Sequence, residues 1–425
     1  MTTRLVVETR EIDPVEDLLV YADPDRPVAW LRRGEGMVAA GDRHQVVIRV
    51  PAGAGSSRAA LIADAWRDLA SAAEIDDEVN LPGTGLVGFS TLTFDEDSAR
   101  DAVLIVPETI IGRRDGRGWI TRIRGVEDAA PIEVAPREYG PHWAGTLGPG
   151  AQTPESYQDS VRRAVAEITA GDYEKVVLAR DLTGTVPVGS DLRRLVRALA
   201  TGYPDTWTYS VDRFIGACPE TLVTVQGGTV TARVLAGTIG RGADADADTA
   251  ASAYLASSTK DLDEHEYAVQ SLVASLRPHV RALAAAEEPF ILKLPNLFHL
   301  ATDVEAELSN GASALDLVGV LHPTAAVGGT PTDVAMQAIR RLEPFDRGRY
   351  AGPVGWVDAA GNGEWAVALR CAQFGSGEIP HRHSTYADTI PVTAYAGAGI
   401  VAGSDPETEL LETRVKFRPV VDALA

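Results

Sequence analysis

Two consecutive glycines, Gly227-Gly228, divide Thr221–Gln226 from Thr229–Leu235 and read as a hairpin turn between two strands rich in Thr, Val and Leu. So short a turn joins only antiparallel strands, because parallel neighbours need a crossover of about a dozen residues or more. Antiparallel pairing is therefore part of the fold. Further β-branched runs occur at Gln45–Val50 and Ala102–Val106, with one helical stretch near Ala59 to Ala73 and no catalytic cluster in residues 1 to 140.

The Gly- and Pro-rich segment Gly140–Gln152 reads as a connector. Thr153-Pro154 then sets a helix start, Tyr157, Val161, Ala164, Val165 and Ile168 share a face, and Gly171 stops the helix. The segment Gly242–Ser258, rich in Ala, Asp and Ser, is weakly patterned; it reads as a solvated loop rather than as a flap or the start of a helix. A helix starting near Asp261 places Leu262, Val269, Leu272, Val273, Leu276 and Val280 on its core side, with Glu264 nearly opposite. The stretch Phe374–Pro391 resembles an inserted hairpin or loop. Its His381 and His383 are set aside as metal ligands, since no third ligand is near in sequence.

With 425 residues, 45% of them hydrophobic, the chain can bury a large core. Its formal charge of −21, from 39 basic and 60 acidic residues, repels nucleic acid and anionic membranes at long range and favours small-molecule partners. An anionic ligand would then need a locally positive site made by a metal, an arginine or backbone amides. Two cysteines, Cys218 and Cys371, show no zinc or disulfide spacing. No apolar run of about 18 residues occurs, and the N-terminus has acids where a signal peptide would be apolar. A cytoplasmic protein is expected.

Lys175 lies in the strand-like run Tyr173–Arg180, an amine among aliphatic neighbours and a candidate base if desolvation lowers its pKa from about 10.4. Glu220, in Gly216-Ala217-Cys218-Pro219-Glu220, is a candidate acid. Glu409, Glu412 and Lys416 share one face of the last helix at spacings of three and four, a pattern that an ordinary salt-bridged surface also shows. The small residues Ala394–Ile400 before that helix let backbone amides approach an anion, and with Glu264 the two acids could hold a hard divalent cation. Arg370, in the apolar strand-like run Ala368–Ala372, needs a carboxylate partner, either from the protein or from a substrate held bidentately. Tyr350 and His299 are polar groups in apolar runs and carry the same two readings.

Nine ordered blocks, EKVVLAR, GACPE, LAGTIGRG, KDLDEHE, LHPTAAVGG, RYAGPVGW, ALRCA, AGAGI and ETELLETRVK, resemble the chorismate-utilising enzymes over roughly residues 150 to 420, and most closely their isochorismate synthases. The resemblance implies an α+β fold of two large, mostly antiparallel sheets flanked by helices, with the active site between them. Residues 1–150 would form the N-terminal part of this intertwined fold and residues 151–425 the chorismate-binding catalytic region. By the same resemblance Lys175 deprotonates the water that attacks C2 of chorismate, and Glu220 protonates the departing C4 hydroxyl. Glu264, Glu409 and Glu412 would serve Mg²⁺, the expected cofactor, which binds the ring carboxylate with help from Gly397 amides and Lys416. Arg370 and Tyr350 would hold the enolpyruvyl carboxylate, and His299 and Thr238 would line the ring site.

The anthranilate-forming relatives carry glutamine at the Lys175 position and use ammonia, whereas lysine points to water. The aminodeoxychorismate synthases carry lysine where this chain has Ala236, and no glutaminase segment or subunit is expected. Salicylate synthases, which go on to eliminate pyruvate, are the nearest rival, and a non-catalytic chorismate-binding relative is a second alternative. His322-Pro323-Thr324 resembles the isochorismate type. The family resemblance also implies a monomer, with the product used for menaquinone or a siderophore. Two features depart from the family pattern. Cys218 replaces a small hydroxyl residue, and Phe374–Pro391 lengthens a connection near the site.

Overall fold

The computed structural model describes residues 4–54, 57–128, 133–242, 244–293, 297–309, 311–375 and 389–425. Among these, the strands gather into a sheet of thirteen and a sheet of ten. Among the described strands, pairing is antiparallel except between Leu5–Ile12 and Glu74–Asp77. Helix Pro154–Ala170 packs on strand Lys175–Pro187, Pro406–Leu424 on Thr389–Ile400, and Thr259–Leu276 on Thr229–Gly240. This is the expected α+β architecture of two sheets flanked by helices.

Each sheet combines distant parts of the chain. Strand Trp207–Val211 pairs with Ala29–Arg32 in the larger sheet, and Pro353–Asp358 pairs with Val87–Thr91 in the smaller. A continuous core with contributions from both sheets includes Trp30, Trp356, Trp365, Phe89, Leu178 and Val223. Buried Glu364 ties it together, accepting from Trp30 Nε1 at 2.9 Å, Trp356 Nε1 at 3.2 Å, Gln226 Nε2 at 3.0 Å and Arg114 Nη2 at 2.8 Å. A carboxylate so deep is tolerable because its oxygens are satisfied.

Two of the chain's passages between the sheets run side by side. Strand Phe214–Cys218 belongs to the larger sheet and Thr221–Gln226 to the smaller, with only Pro219-Glu220 between them. Strand Gly363–Val367 belongs to the smaller sheet and Cys371–Phe374 to the larger, with Ala368–Arg370 between them. The two passages pair on both sides of the corner and are joined at it by Ala217 N–H to Arg370 O and Val367 N–H to Glu220 O, each 3.2 Å. Arg370 thus lies at a bend with φ +49, outside any strand, which corrects the strand expected from its apolar neighbours. Ala351 and Gly352 exchange hydrogen bonds with Ala368, so the turn carrying Tyr350 is fastened to the same corner.

Local signals were reliable where they were chemical. Thr153 Oγ1 accepts from Ser156 N–H at 3.2 Å, Pro154 opens the helix, and Gly171 ends it with φ +88. The Gly227-Gly228 hairpin joins Thr221–Gln226 to a longer strand, Thr229–Gly240. The connector Gly140–Gln152 contains a short edge strand, Thr146–Pro149, paired with Leu182–Thr185. Gly242–Ser258 is not a loop, since helix Ala245–Ser257 forms within it, capped by Asp244 accepting from Ala247 N–H. Its alanine content favours helix without leaving an amphipathic stripe. In helix Thr259–Leu276, Leu276 is fully buried and Leu262, Val269, Leu272 and Val273 are half-buried, while Val280 falls in the next strand. Residues 376–388, with His381 and His383, lie outside the described residues. The strands flanking them pair, with Phe374 opposite Val392.

Candidate active site

Lys175 opens strand Lys175–Pro187 and is half-buried. Its strand neighbours are Gly329–Thr330 on one side and Thr389–Ile400 on the other. Gly399 lies opposite Val177, and a Cβ placed there would come 3.2 Å from Lys175 Cε and 4.0 Å from Nζ. The bare backbone at Gly399 is therefore what leaves room for the lysine stem.

Across the corner, Glu220 is half-buried and its carboxyl is pushed above the ordinary range. Burial is the largest cause, opposed by the positive charges of Lys175, Lys416 and Arg370. Those oppositions place a base candidate, an acid candidate and two further cations in one electrostatic neighbourhood. His299, on strand Leu297–Leu308, has its pKa lowered by burial first; a hydrogen bond with the Gly237 backbone opposes this, and Lys175 and Lys416 add to it. His299 thereby joins the same cluster from the smaller sheet. Thr238 is its cross-strand partner in register.

Cys218 supports the corner. Its Sγ accepts from Glu220 N–H at 3.2 Å and lies 3.4 Å from Glu220 O, the role that a small hydroxyl would otherwise fill. Burial, followed by the Glu220 charge, pushes its thiol up to about 12, so it remains a neutral thiol. Tyr350 is buried, stacks on Tyr395 with ring centroids 5.3 Å apart, and has its phenol pKa raised chiefly by burial. Gly397 faces it closely: a Cβ there would lie 3.0 Å from Tyr350 Oη and 2.8 Å from Leu178 O.

Helix Pro406–Leu424 closes this side. Lys416 Nζ donates to Gly397 O at 2.9 Å and pairs with Glu412 at 2.6 Å. Glu409, one turn earlier, is buried, and its carboxyl is raised by burial first, with Ser404 opposing and Glu412 repelling. Two neighbouring carboxylates, one buried and disfavoured as an anion, make a hard oxygen donor pair that fits a divalent cation such as Mg²⁺. Among the described residues no group of three acidic, His or Cys side chains is gathered for a metal. Glu264 sits on helix Thr259–Leu276, but its side chain, like that of Thr238, lies outside the described residues.

Sequence reasoning missed three groups. His265 is buried, with Nε2 2.8 Å from Thr302 Oγ1 and Nδ1 3.0 Å from Ala236 O, and so docks its helix on the strand bulge before Thr238. Glu343 and Arg347 form a buried ion pair at 2.5 Å behind the Lys175 strand. Their i,i+4 spacing was readable, but not that both are buried.

Residues 141–425 match the family model described as chorismate binding enzyme. Isochorismate synthase DhbC of Bacillus subtilis is 40% identical over 283 residues, covering 64% of this chain and 68% of that protein. A putative isochorismate synthase MenF of Mycobacterium tuberculosis is 35% identical over 356 residues, covering 80% and 87%. Among solved structures, a putative 2,3-dihydroxybenzoate-specific isochorismate synthase, DhbC from Bacillus anthracis, aligns with TM-score 0.70 and 30% identity over 96% of this chain and 98% of its own. The menaquinone-specific isochorismate synthase MenF of Escherichia coli shares the fold, with TM-score 0.72 and 22% identity over 99% and 95%. With two thirds of its length matched by the family model and the corner cluster lying inside that span, the chain belongs to the chorismate-binding enzymes.

Proposed function

We propose that this chain is an isochorismate synthase, an isomerase that converts chorismate and water to isochorismate and water. The observation that carries the reading is that the charges of Lys175, Lys416 and Arg370 all act on the Glu220 carboxyl at the corner between the sheets. In this reading the Lys175 amine, neutral when substrate is bound, takes a proton from a water whose oxygen forms the new bond at C2. The ring double bond shifts and the C4–O bond breaks. Glu220, whose carboxyl burial pushes toward the protonated form, gives its proton to the departing hydroxyl, which leaves as water. Proton exchange with solvent then resets both groups.

Arg370 and Tyr350 orient the enolpyruvyl carboxylate, Gly397 and Lys416 the ring carboxylate, and His299 and Thr238 border the ring. Glu409 and Glu412, together with Glu264, would hold Mg²⁺. When bound, the ion supplies positive charge for the ring carboxylate of a dianionic substrate inside an acidic protein. The Cys218 departure is compatible with this reading, because its sulfur supplies the acceptor that Glu220 N–H requires.

The test is purified chain incubated with chorismate and Mg²⁺, with products separated by chromatography. Isochorismate is expected. Salicylate with pyruvate would move the assignment to a salicylate synthase, and binding without turnover would make the chain a chorismate-binding relative. We further propose that it needs no glutaminase partner and works as a monomer in the cytoplasm. Among the described residues no helix is long and apolar enough to cross a membrane.

A further inference from the structure

Strand Lys175–Pro187 is paired from Val176 to Pro187 by Thr389–Ile400 on one edge. Its other edge is interrupted. Gly329–Thr330 covers Lys175 and Val176, Thr146–Pro149 covers Leu182 to Thr185, and among the described residues no strand covers the stretch between. Buried backbone groups left unpaired there would be costly. Among the described residues, backbone bonds reach only its two ends, Val177 N–H to Gly328 O at 2.9 Å and Gly150 N–H to Asp181 O at 3.1 Å, and side chains supply bonds to Val177 O and Ala179 N–H. Glu343 Oε1 accepts from Ala179 N–H at 2.7 Å, and Arg347 Nη2 donates to Val177 O at 2.7 Å. Arg347 Nη1 also donates to Val327 O at 2.9 Å, in the loop leading to Gly329–Thr330, while its Nε and Nη2 hold Glu343. The guanidinium lies 4.2 Å from the Phe94 ring centroid and 5.9 Å from that of Tyr350, whose N–H bonds to Arg347 O.

We infer that Glu343 and Arg347 are positioning residues whose paired side chains stand in for a missing strand, fixing the Lys175 strand against Tyr350 and Gly397. The pair acts on the strand backbone at Val177 and Ala179. It sets the height of Val177 and Ala179, which share a strand face with Lys175 and lie opposite Gly399 and Gly397. Loss of either bond lets this edge of the strand drift, and the lysine amine drifts with it.

The inference rests on Lys175 being the base, so its test pairs a kinetic measurement with one independent of catalysis. Glu343→Leu removes the acceptor, Glu343→Gln keeps an oxygen for Ala179 N–H without the charge, and Glu343→Leu/Arg347→Met replaces the whole pair by apolar volume. Hydrogen exchange is followed at Val177 and Ala179, and kcat and KM with chorismate. Glu343→Leu is expected to accelerate exchange at Ala179 selectively. It should also lower kcat on the order of a hundredfold, as about 1 Å of misplacement does, with KM unchanged. Glu343→Gln should recover part of both, and the double variant should recover thermal stability but not kcat. Should Glu343→Leu not fold, Glu343→Gln and the double variant carry the same comparison. Wild-type kcat in the double variant, or unchanged Ala179 exchange without the acceptor, would overturn the inference. An inactive parent chain would sink the catalytic assignment alone, because the exchange data would still decide whether the pair replaces a strand.

Discussion

Gly399→Ala separates the position of the lysine amine from the stability of the sheet. A methyl at residue 399 would sit 3.2 Å from Lys175 Cε, with no backbone atom closer than 4 Å. Carbon atoms settle at roughly 3.5–4.0 Å, so the stem must retreat by about 0.5 Å. A lysine stem does so by rotation, at about 0.5–1.5 kcal/mol if it leaves its rotamer well. The same retreat moves the amine away from its water, and the expected loss is about ten- to a hundredfold in kcat, or about 1.4–2.7 kcal/mol of barrier. Gly397→Ala is the contrasting control, because its methyl meets Leu178 O at 2.8 Å and Ala179 Cα at 3.3 Å, atoms that cannot swing aside. It must spread two paired strands or tilt Tyr350, at about 1–3 kcal/mol, and lose stability together with activity. The measurements are initial rates of isochorismate formation and urea unfolding midpoints. A Gly399→Ala enzyme at the parental rate, or one destabilised as much as Gly397→Ala, would refute the placement of the lysine as the reacting base.

Glu220 holds its proton more tightly in the folded chain than in the unfolded one, so the stability it contributes is present below the unfolded pKa of about 4.3 and is lost as pH rises through the raised folded value. Glu220→Gln should therefore be at least as stable as the parent at pH 8 by urea unfolding, while turnover falls by roughly 10²–10⁴-fold; marked destabilisation at that pH would mean that the carboxylate makes a native interaction instead. Glu412→Ala should weaken Mg²⁺ binding, read by calorimetry, yet change stability by less than about 1 kcal/mol because its pair with Lys416 is partly exposed. Unchanged Mg²⁺ affinity would remove Glu412 from the metal site. Cys218→Ala strands the Glu220 N–H and should cost about 1–3 kcal/mol, whereas Cys218→Ser should retain both stability and rate. Equal losses in the two variants would show that sulfur volume, not the acceptor, matters there.

What could be read from the sequence was whatever depends on neighbours in the chain. Thr153-Pro154, Gly171 and Gly227-Gly228 act through capping and turn geometry over a few residues, and each stands where expected. The spacing of Glu409, Glu412 and Lys416 likewise survives, because one helix holds all three. The misreadings share another cause. Ala245–Ser257 is helical through propensity and an Asp cap, with no stripe for periodicity to detect. Arg370 sits among Ala, Leu and Cys, a composition shared by a buried strand and by a corner lined with strands from two sheets, and only the pairing partners tell these apart. Glu343 and Arg347 resemble a surface helix pair until the gap along the Lys175 strand is known.

The corner also gives a physical reason for the placement of the acid and the arginine. Along a strand, side chains alternate between the two faces of its sheet, and a residue in register is committed to one of them. Glu220 and Arg370 lie where two neighbouring strands leave one ladder for the other, so neither is bound to that alternation, and their backbones still bond to the partner passage through Val367 and Ala217. A carboxyl can thus be held rigidly within the field of a lysine carried by the larger sheet, whose charge also acts on a histidine carried by the smaller. The arrangement makes the acid's burial depend on the sheets staying together. A substitution that loosens their contact at the Glu364 hub, such as Glu364→Ala with its four donors left unpaired, should then lower activity before the chain unfolds.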